Sequence, residues 1–337
     1  MLETLQANLL SPIPLAFALG VLARLLGSEF SLPKDLYASL SIYLLFALGL
    51  KGGAELAHAD LNVVAWPAAA TLLLGVITPL TAYAALKWMG RFNASDSAGI
   101  AAHYGSVSAV TFIAAQQFME RVGAPVEGFM PTLLTLLESP GIHIALAIGV
   151  VQRTRSLARV PNIVGNAAAP RGESVPSLRH ALHEVFTGRT MILLVGGLLV
   201  GYLMGQAGWK AVSPFFDSGF KGALMLFLLE MGIVAGSRLG DLKRVGPFLL
   251  GFGILMPLVH GALGVVLGHA AGLATGGAAV LGTMAASASY IAAPPAVRHT
   301  LPEANPTYSL TAALAITFPF NVLVGIPIYY RIAQALA

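Results

Sequence analysis

Two short polar stretches set in apolar surroundings contain the residues best suited to chemistry. One is Gly105-Ser106-Val107-Ser108 and the other is Ser287-Ala288-Ser289, which is followed by Pro294-Pro295. Aligning Ser106 with Ser287 and Ser108 with Ser289 gives a constant offset of 181 residues. Gly and Ser weaken a helix interior, and a break leaves the N–H groups of the next helical segment without intrahelical partners. Such an end carries about half a positive charge. Two of them facing each other would hold a small anion without a buried Arg or Lys. Gly105, Ser106, Val107, Ser108, Ser287, Ala288 and Ser289 are therefore the expected anion site. One such stretch alone could be explained by close helix packing of small residues; the matched pair favours binding.

Glu138 is the second chemical feature, deep in Leu136-Leu137-Glu138-Ser139-Pro140-Gly141. A charged side chain at a bilayer centre costs about 2.5–3.5 kcal/mol on insertion scales, so it should face the protein interior beside a partner. Its counterpart in the second half is Thr317, near Pro319 and Asn321. Oxygens from Thr111, Glu138, Thr317 and Asn321 would suit a hard cation such as Na⁺, whose charge would also draw the anion in. His103, His143 and His260 are scattered without acidic neighbours and read as packed or hydrogen-bonded, with proton relay as the alternative. Glu230 reads as an interface acid, Lys51 with Glu55 as a snorkelling end, and Gln116 and Gln117 as interior-lining. No HExxH, Walker loop or nucleophile elbow is present, which argues against an enzyme.

These residues need apolar helices to position them, and the composition supplies them. The chain has 337 residues, 56% hydrophobic and only 10% charged, against about 25% charged in a soluble domain. Its mean hydropathy is +0.78. It reads as an all-α, polytopic membrane protein. Runs of about 20 apolar residues suffice to span a bilayer, and ten are expected: 10–27, 36–50, 62–88, 97–119 and 129–151, then 190–208, 213–235, 246–271, 277–297 and 308–334. The second is short enough to be re-entrant or tilted. Without cysteine, disulfides and thiolate metal sites are excluded. The N-terminus, Met1-Leu2-Glu3-Thr4-Leu5, lacks the positive region of a cleaved signal, so the first run should be retained.

Further positions repeat at nearly the same offset. Leu45, Gly49, Gly53 and Leu56 fall on Leu228, Gly232, Gly236 and Leu239, Pro79 on Pro257, and Pro140 on Pro319. The expected organisation is a first five-helix repeat over 1–151, a cytoplasmic linker over 152–188 and a second five-helix repeat over 189–337, with the fourth and ninth helices discontinuous. Placing the linker in the cytoplasm puts 14 of the 19 Lys and Arg inside and leaves Lys51, Arg121, Lys210, Lys221 and Arg331 outside. Both termini should then face outward, and because each half has an odd number of spans the repeats are inverted, the arrangement that underlies alternating access. The linker end, Ser177 to Phe186, has helical periodicity and should lie on the membrane surface. Lysines and arginines spread over short loops match membrane topology and argue against a nucleic-acid partner.

The run Leu44 to Gly53, the Gly105-Ser106-Val107-Ser108 core, and Ala285-Ala286-Ser287-Ala288-Ser289 continuing through Pro294-Pro295 to Pro302-Glu303-Ala304-Asn305-Pro306 resemble the SbtA-type sodium-dependent bicarbonate transporters over nearly the whole chain. The resemblance implies Na⁺-driven import of HCO₃⁻ through the inner membrane by a homotrimer in membrane lipid, with a gate part and an elevator-like moving core. In cyanobacterial members it also implies a PII-like regulator on the cytoplasmic face. It places substrate serines at Ser106, Ser108, Ser287 and Ser289, and the carboxylate before the helix 5 proline at Glu138. The sequence departs from the pattern at Tyr290, where an Asp is usual, at Ala109-Val110, where Gly-Ser is usual, and in a shorter linker. Alternatives are a carrier of another small anion, a proton-coupled variant using His103 or His143, and a membrane sensor that binds without transporting.

Overall fold

The computed structural model describes residues 9–158 and 187–337, with the side chains of 153–158 outside that description. The surface helix expected over 177–186 and most of the linker also lie outside it. All regular elements among the described residues are helical. In chain order they are α1 (Pro12–Leu25), α2 (Lys34–Leu56) and α3 (Leu61–Ala84), the last extended by a π-helical turn over Ala85–Met89. Two broken helices follow, α4a (Ala94–Tyr104) with α4b (Ala109–Arg121), and α5a (Met130–Glu138) with α5b (Pro140–Ala158). Next are α6 (Arg189–Phe216), α7 (Phe220–Arg238) and α8 (Leu242–Ala270). The last two are α9a (Thr275–Ala286) with α9b (Ala293–Thr300), and α10, which runs from Pro306 to Leu336.

Seven helical stretches among the described residues are long and apolar enough to cross a membrane. The stretch from Phe220 to Ala270 contains both α7 and α8. α1, with 14 residues, and α9a, with 12, are apolar but short. At 1.5 Å per residue each falls below the roughly 30 Å of a hydrocarbon core. The chain is a multi-pass membrane protein. α2 is longer than the sequence suggested, 23 residues, because Gly52, Gly53 and Ala54 stay helical and buried.

Packing divides the helices into two groups, each drawing on both halves of the chain. In the first, α2 packs on α6 and α1 packs on α7. Both contacts are made through glycines that let backbones meet. A methyl at Gly49 would lie 2.8 Å from Gly197 Cα, and one at Gly232 would lie 2.9 Å from Gly20 Cα. Gly49 and Gly53 face Gly197 and Leu198 on α6, while Gly232 and Gly236 face Gly20 and Arg24 on α1. These are the positions that recur between the halves, and small-xxx-small spacing is the usual route to close helix approach in lipid, where burial against another helix supplies no hydrophobic gain.

The second group comprises α3, α4, α5, α8, α9 and α10. An 18-residue stretch of α4 is buried throughout inside it, and only its far end, at Glu120 and Arg121, is exposed. α4a packs on α5b, and α9a packs on α8 and the C-terminal part of α10. Loops clip each broken helix to the other half. Glu127, after α4b, accepts the Ala274 N–H at the start of α9a at 2.6 Å. Conversely, Ser95 donates to Glu303 at 2.8 Å and the Asn305 N–H donates to Asp96 at 2.7 Å, tying the α9b–α10 loop to the start of α4a.

Prolines decide where helices break or loosen. Pro140 has no N–H and disfavours a regular helix at the preceding residue; Ser139 there has φ −102° and helix 5 divides. The span expected over 129–151 is present as one apolar stretch from Met130 to Gln152, divided at Ser139. α10 carries Pro319 and Pro327 without breaking, because π-helical turns over Thr311–Thr317 and Asn321–Gly325 absorb the mismatched hydrogen bonds. α6 bends at Gly205, whose φ of 58° suits glycine. Trp66 and Trp88, 73% and 76% exposed, stand near the two ends of helix 3 where interfacial aromatics belong.

Adjacent glycines of α6 test the backbone-contact interpretation. Gly197→Ala puts a methyl 2.9 Å from Gly49 Cα, and backbone cannot rotate away; it should destabilise by about 1–3 kcal/mol. Gly196→Ala meets nothing within 4 Å and should be neutral or slightly stabilising. Thermal melts of both variants in detergent check this, and equal melting temperatures would refute the close α2–α6 contact.

Candidate functional site

The two interrupted helices meet. α4a ends at Tyr104 and α4b resumes at Ala109; α9a ends at Ala286 and α9b resumes at Ala293. The connecting strands of backbone exchange hydrogen bonds where they pass. The Ser289 N–H donates to the His103 carbonyl at 2.8 Å, and the Ser108 N–H donates to Ser287 Oγ at 2.8 Å. Ser287 Oγ passes its own proton to the Met284 carbonyl at 2.8 Å. The first two of these bonds join one half of the chain to the other.

The remaining polar groups freed by the breaks are largely matched. Ser106 donates to the Glu138 carbonyl at 2.7 Å, linking the break in helix 4 to the break in helix 5. A methyl at Gly141 would fall on the Gly105 carbonyl, so backbone meets backbone there, and one at Gly105 would lie 2.7 Å from Pro79 Cβ on α3. Asn321 donates its amide to the Ala286 carbonyl at 2.8 Å, capping the end of α9a, and accepts from the Tyr329 hydroxyl at 2.9 Å. Thr317 donates to the Gly253 carbonyl at 2.7 Å. Since that uses its only proton, the 2.6 Å contact with Tyr104 at the end of α4a has the tyrosine as donor. Ser108 caps α4b by accepting the Thr111 N–H at 3.3 Å, and Ser289 accepts the Ala292 N–H at 3.3 Å ahead of α9b.

Between the breaks lies a cavity of about 10 Å³, walled by Val107, Ser108 and Ala109, by Ser289, Tyr290 and Ile291, by Glu138, and by Leu45 and Thr190 of the first helix group. It is therefore bounded by both helix groups, by the N-terminal end of α4b at Ala109, and by the Ser289–Ile291 segment ahead of α9b, whose first turn, Ala293-Pro294-Pro295, offers few N–H groups of its own. Glu138 is 1% exposed, and its Oε2 has no hydrogen-bond partner. Two serines and a carboxylate with an unpartnered oxygen thus belong to the walls of one cavity.

The expected site residues divide by what they do. Val107, Ser108, Ser289 and Glu138 line the cavity. Ser106 and Ser287 spend their hydroxyl protons on backbone carbonyls, and Gly105 and the buried Ala288 shape the breaks. Thr111 is buried in the first turn of α4b. Thr317 and Asn321 are engaged in tying α10 to α8 and α9a, so their polar atoms already have protein partners. Among the described residues no three His, Asp or Glu cluster as a metal site. Leu45, Thr190 and Ile291 were not legible as site residues, since nothing apolar or singly polar in those runs distinguishes them. Tyr290 stands in the wall, edge-on to Phe318 at 5.5 Å between centroids, where the resemblance anticipates an acid.

Access differs on the two sides. A vestibule of about 430 Å³, lined by residues including Tyr37, Ser41, Arg189 and Pro295, shares Thr190 and Ile291 with the small cavity. It lies on the side where the linker emerges, next to Thr187. On the opposite side a pocket of about 290 Å³ is lined by Lys51, Gln116, Gln117, Glu120, Asp217 and Lys221 and shares no wall with the cavity. There Lys221 on α7 pairs with Glu120 on α4b at 3.1 Å, across the boundary between the helix groups, and Lys51 pairs with Asp217 at 3.0 Å.

A comparison with curated proteins found no match. The family model described as the Na⁺-dependent bicarbonate transporter superfamily matches residues 12–334. With that match running from the first turn of α1 to the last turn of α10, the chain belongs to the Na⁺-dependent bicarbonate transporter superfamily and is a transporter, not an enzyme.

Proposed function

We propose that this chain imports bicarbonate together with Na⁺ by alternating access, with α1, α2, α6 and α7 as gate and the other six helices as the moving core. One observation carries the reading: the breaks of two helices from opposite halves meet at a cavity walled by Ser108, Ser289 and a buried carboxylate, Glu138, that has an unpartnered oxygen. The N-terminal N–H groups with Ser108 and Ser289 suit the anion. Glu138, with Thr111 nearby in α4b, suits the co-transported Na⁺; Thr317 and Asn321 then act by holding the breaks in position. Cation and anion side by side would each raise the other's affinity.

The repeat reading is ten spans, α1–α5 and α6–α10, in inverted halves with both termini outward. It is supported by the reciprocal pairing of α1 with α7 and α2 with α6, and by the two loop clips. A cavity of about 10 Å³ holds about one water and not a four-atom oxyanion, so core and gate have to separate at Thr190 and Ile291 for entry or release. The vestibule on the linker side is the cytoplasmic route in this assignment. Opening the other side requires parting Glu120 from Lys221, both more than half exposed. A surface pair of this kind is worth about 0–1 kcal/mol and is no obstacle to cycling. The homotrimer and a PII-like regulator at the linker face follow from the resemblance.

In proteoliposomes, radiolabelled HCO₃⁻ should accumulate only with an inward Na⁺ gradient. Ser289→Leu overfills a cavity with room for about one water and should abolish uptake at a cost of about 1–3 kcal/mol in stability, while Ser289→Ala should retain part of it. Full transport by Ser289→Leu would move the site elsewhere.

Glu138→Gln keeps shape and removes charge. Losing a charged ligand interaction of about 1.5–3 kcal/mol should raise the half-saturating Na⁺ concentration about ten-fold or more. By reciprocity, HCO₃⁻ affinity at fixed Na⁺ should weaken as well. Unaltered Na⁺ dependence would make Glu138 structural and favour a proton-coupled or uncoupled carrier.

A further inference from the structure

The N-terminus of α6 is uncapped. Gly188 at the N-cap has no side chain to offer, and among the described residues the N–H groups of Arg189, Thr190 and Met191 have no hydrogen-bond partner. Such groups stay unmatched unless something outside the helix accepts from them, and they carry its positive dipole end. All four residues line the vestibule of about 430 Å³ on the linker side. Two hydroxyl residues share that wall: Ser41 on α2, 7% exposed, and Thr190 itself, 5% exposed. Neither hydroxyl makes a hydrogen bond among the described residues, and both stay open to a water molecule. The helix register brings these donors together. α2 and α6 run parallel, with Gly49 against Gly197 and Gly53 against Leu198 and Tyr202. Eight residues earlier on each helix, about 12 Å, are Ser41 and Arg189, so Ser41 stands level with the uncapped end of α6.

The facing wall, Ile291, Ala292, Pro295 and Ala296 of helix 9, is apolar. Among the described lining residues there is no Asp or Glu, and the exposed Arg189 carries the only formal charge. Donors without acceptors, at a positive helix end and with no carboxylate in the lining, select an anion and require no cation beside it. We infer that the N-terminus of α6 with the hydroxyls of Ser41 and Thr190 is a second anion site, for a small oxyanion of the class of bicarbonate, whose oxygens accept from these donors. It differs from the crossing, where Glu138 belongs to the wall: occupancy at α6 is independent of Na⁺. Thr190 walls both spaces, so the site holds an anion between the crossing and the linker side. That place along the route, and bicarbonate as the probe, rest on the proposed function; the site itself does not.

Equilibrium dialysis of the purified full chain against radiolabelled HCO₃⁻ tests it. In a Na⁺-free choline buffer one anion should bind per chain, and saturating Na⁺ should add a second. Gly188→Asp places a carboxylate at the N-cap, where the extended backbone, φ −61° and ψ 147°, suits capping. It should occupy the free N–H groups and abolish the Na⁺-independent binding, with the melting temperature unchanged or raised. Ser41→Ala removes one donor to a charged oxygen and should weaken the same binding about ten-fold. No binding without Na⁺, with one site in its presence, would overturn the inference and spare the transport reading. Na⁺-independent binding that survives both Gly188→Asp and Ser41→Ala would remove the site from α6 and overturn the inference as well. Na⁺-independent binding lost in Gly188→Asp, with no second site on adding Na⁺, would uphold the inference and count against the crossing as the Na⁺-coupled site.

Discussion

Breaking a helix inside a membrane frees backbone N–H and C=O groups that no lipid can satisfy, and each has to be answered within the protein. The rest of this structure follows from how that requirement is met. Three helices break among the described residues that cross near the centre, and the groups they free are matched largely by one another: Ser289 with His103, Ser108 with Ser287, Ser106 with Glu138, and Asn321 with Ala286. The first two of these pairs join one half of the chain to the other, and the last two brace the breaks within each half.

That mutual stitching explains why so many of the serines and amides are unavailable to a ligand. A hydroxyl has one proton, and Ser106, Ser287 and Thr317 have each committed theirs to a carbonyl. What is left over at the crossing is the N-terminal end of α4b, the side chains of Ser108 and Ser289, and one oxygen of Glu138. Binding capacity in this fold is the residue of an otherwise balanced account of polar groups.

The division into two helix groups has a separate physical origin. In lipid, helices associate through close backbone contact and hydrogen bonding and gain nothing from burying apolar surface against one another. Gly20, Gly49, Gly197 and Gly232 let α1 meet α7 and α2 meet α6 at backbone distance, making one firmly packed group. Across the boundary the contacts are different: Leu45 and Thr190 against the crossing, and the exposed Glu120–Lys221 pair. Such contacts can separate without leaving buried polar groups unmatched, which is the property the proposed gate and core require.

The sequence by itself determined the membrane setting, the helical class, the internal repeat and the places where helices 4 and 9 fail, because these depend on local properties: apolar run length, the poor helix character of Gly and Ser, and the recurrence of glycines at one spacing. It also singled out Glu138, since a carboxylate in an apolar run is costly wherever it sits. Only the tertiary structure decided that helix 5 breaks while α10 does not, although both carry a proline at matching positions; the π-helical turns that spare α10 depend on its packing. It alone separated Ser108 and Ser289, which line the cavity, from Ser106 and Ser287, which do not, and placed Thr317 and Asn321 on the carbonyls of Gly253 and Ala286. Hydroxyls of identical chemistry differ here only in which carbonyl lies within reach, Glu138 for Ser106 and Met284 for Ser287, and that is set by how the breaks fold and pack.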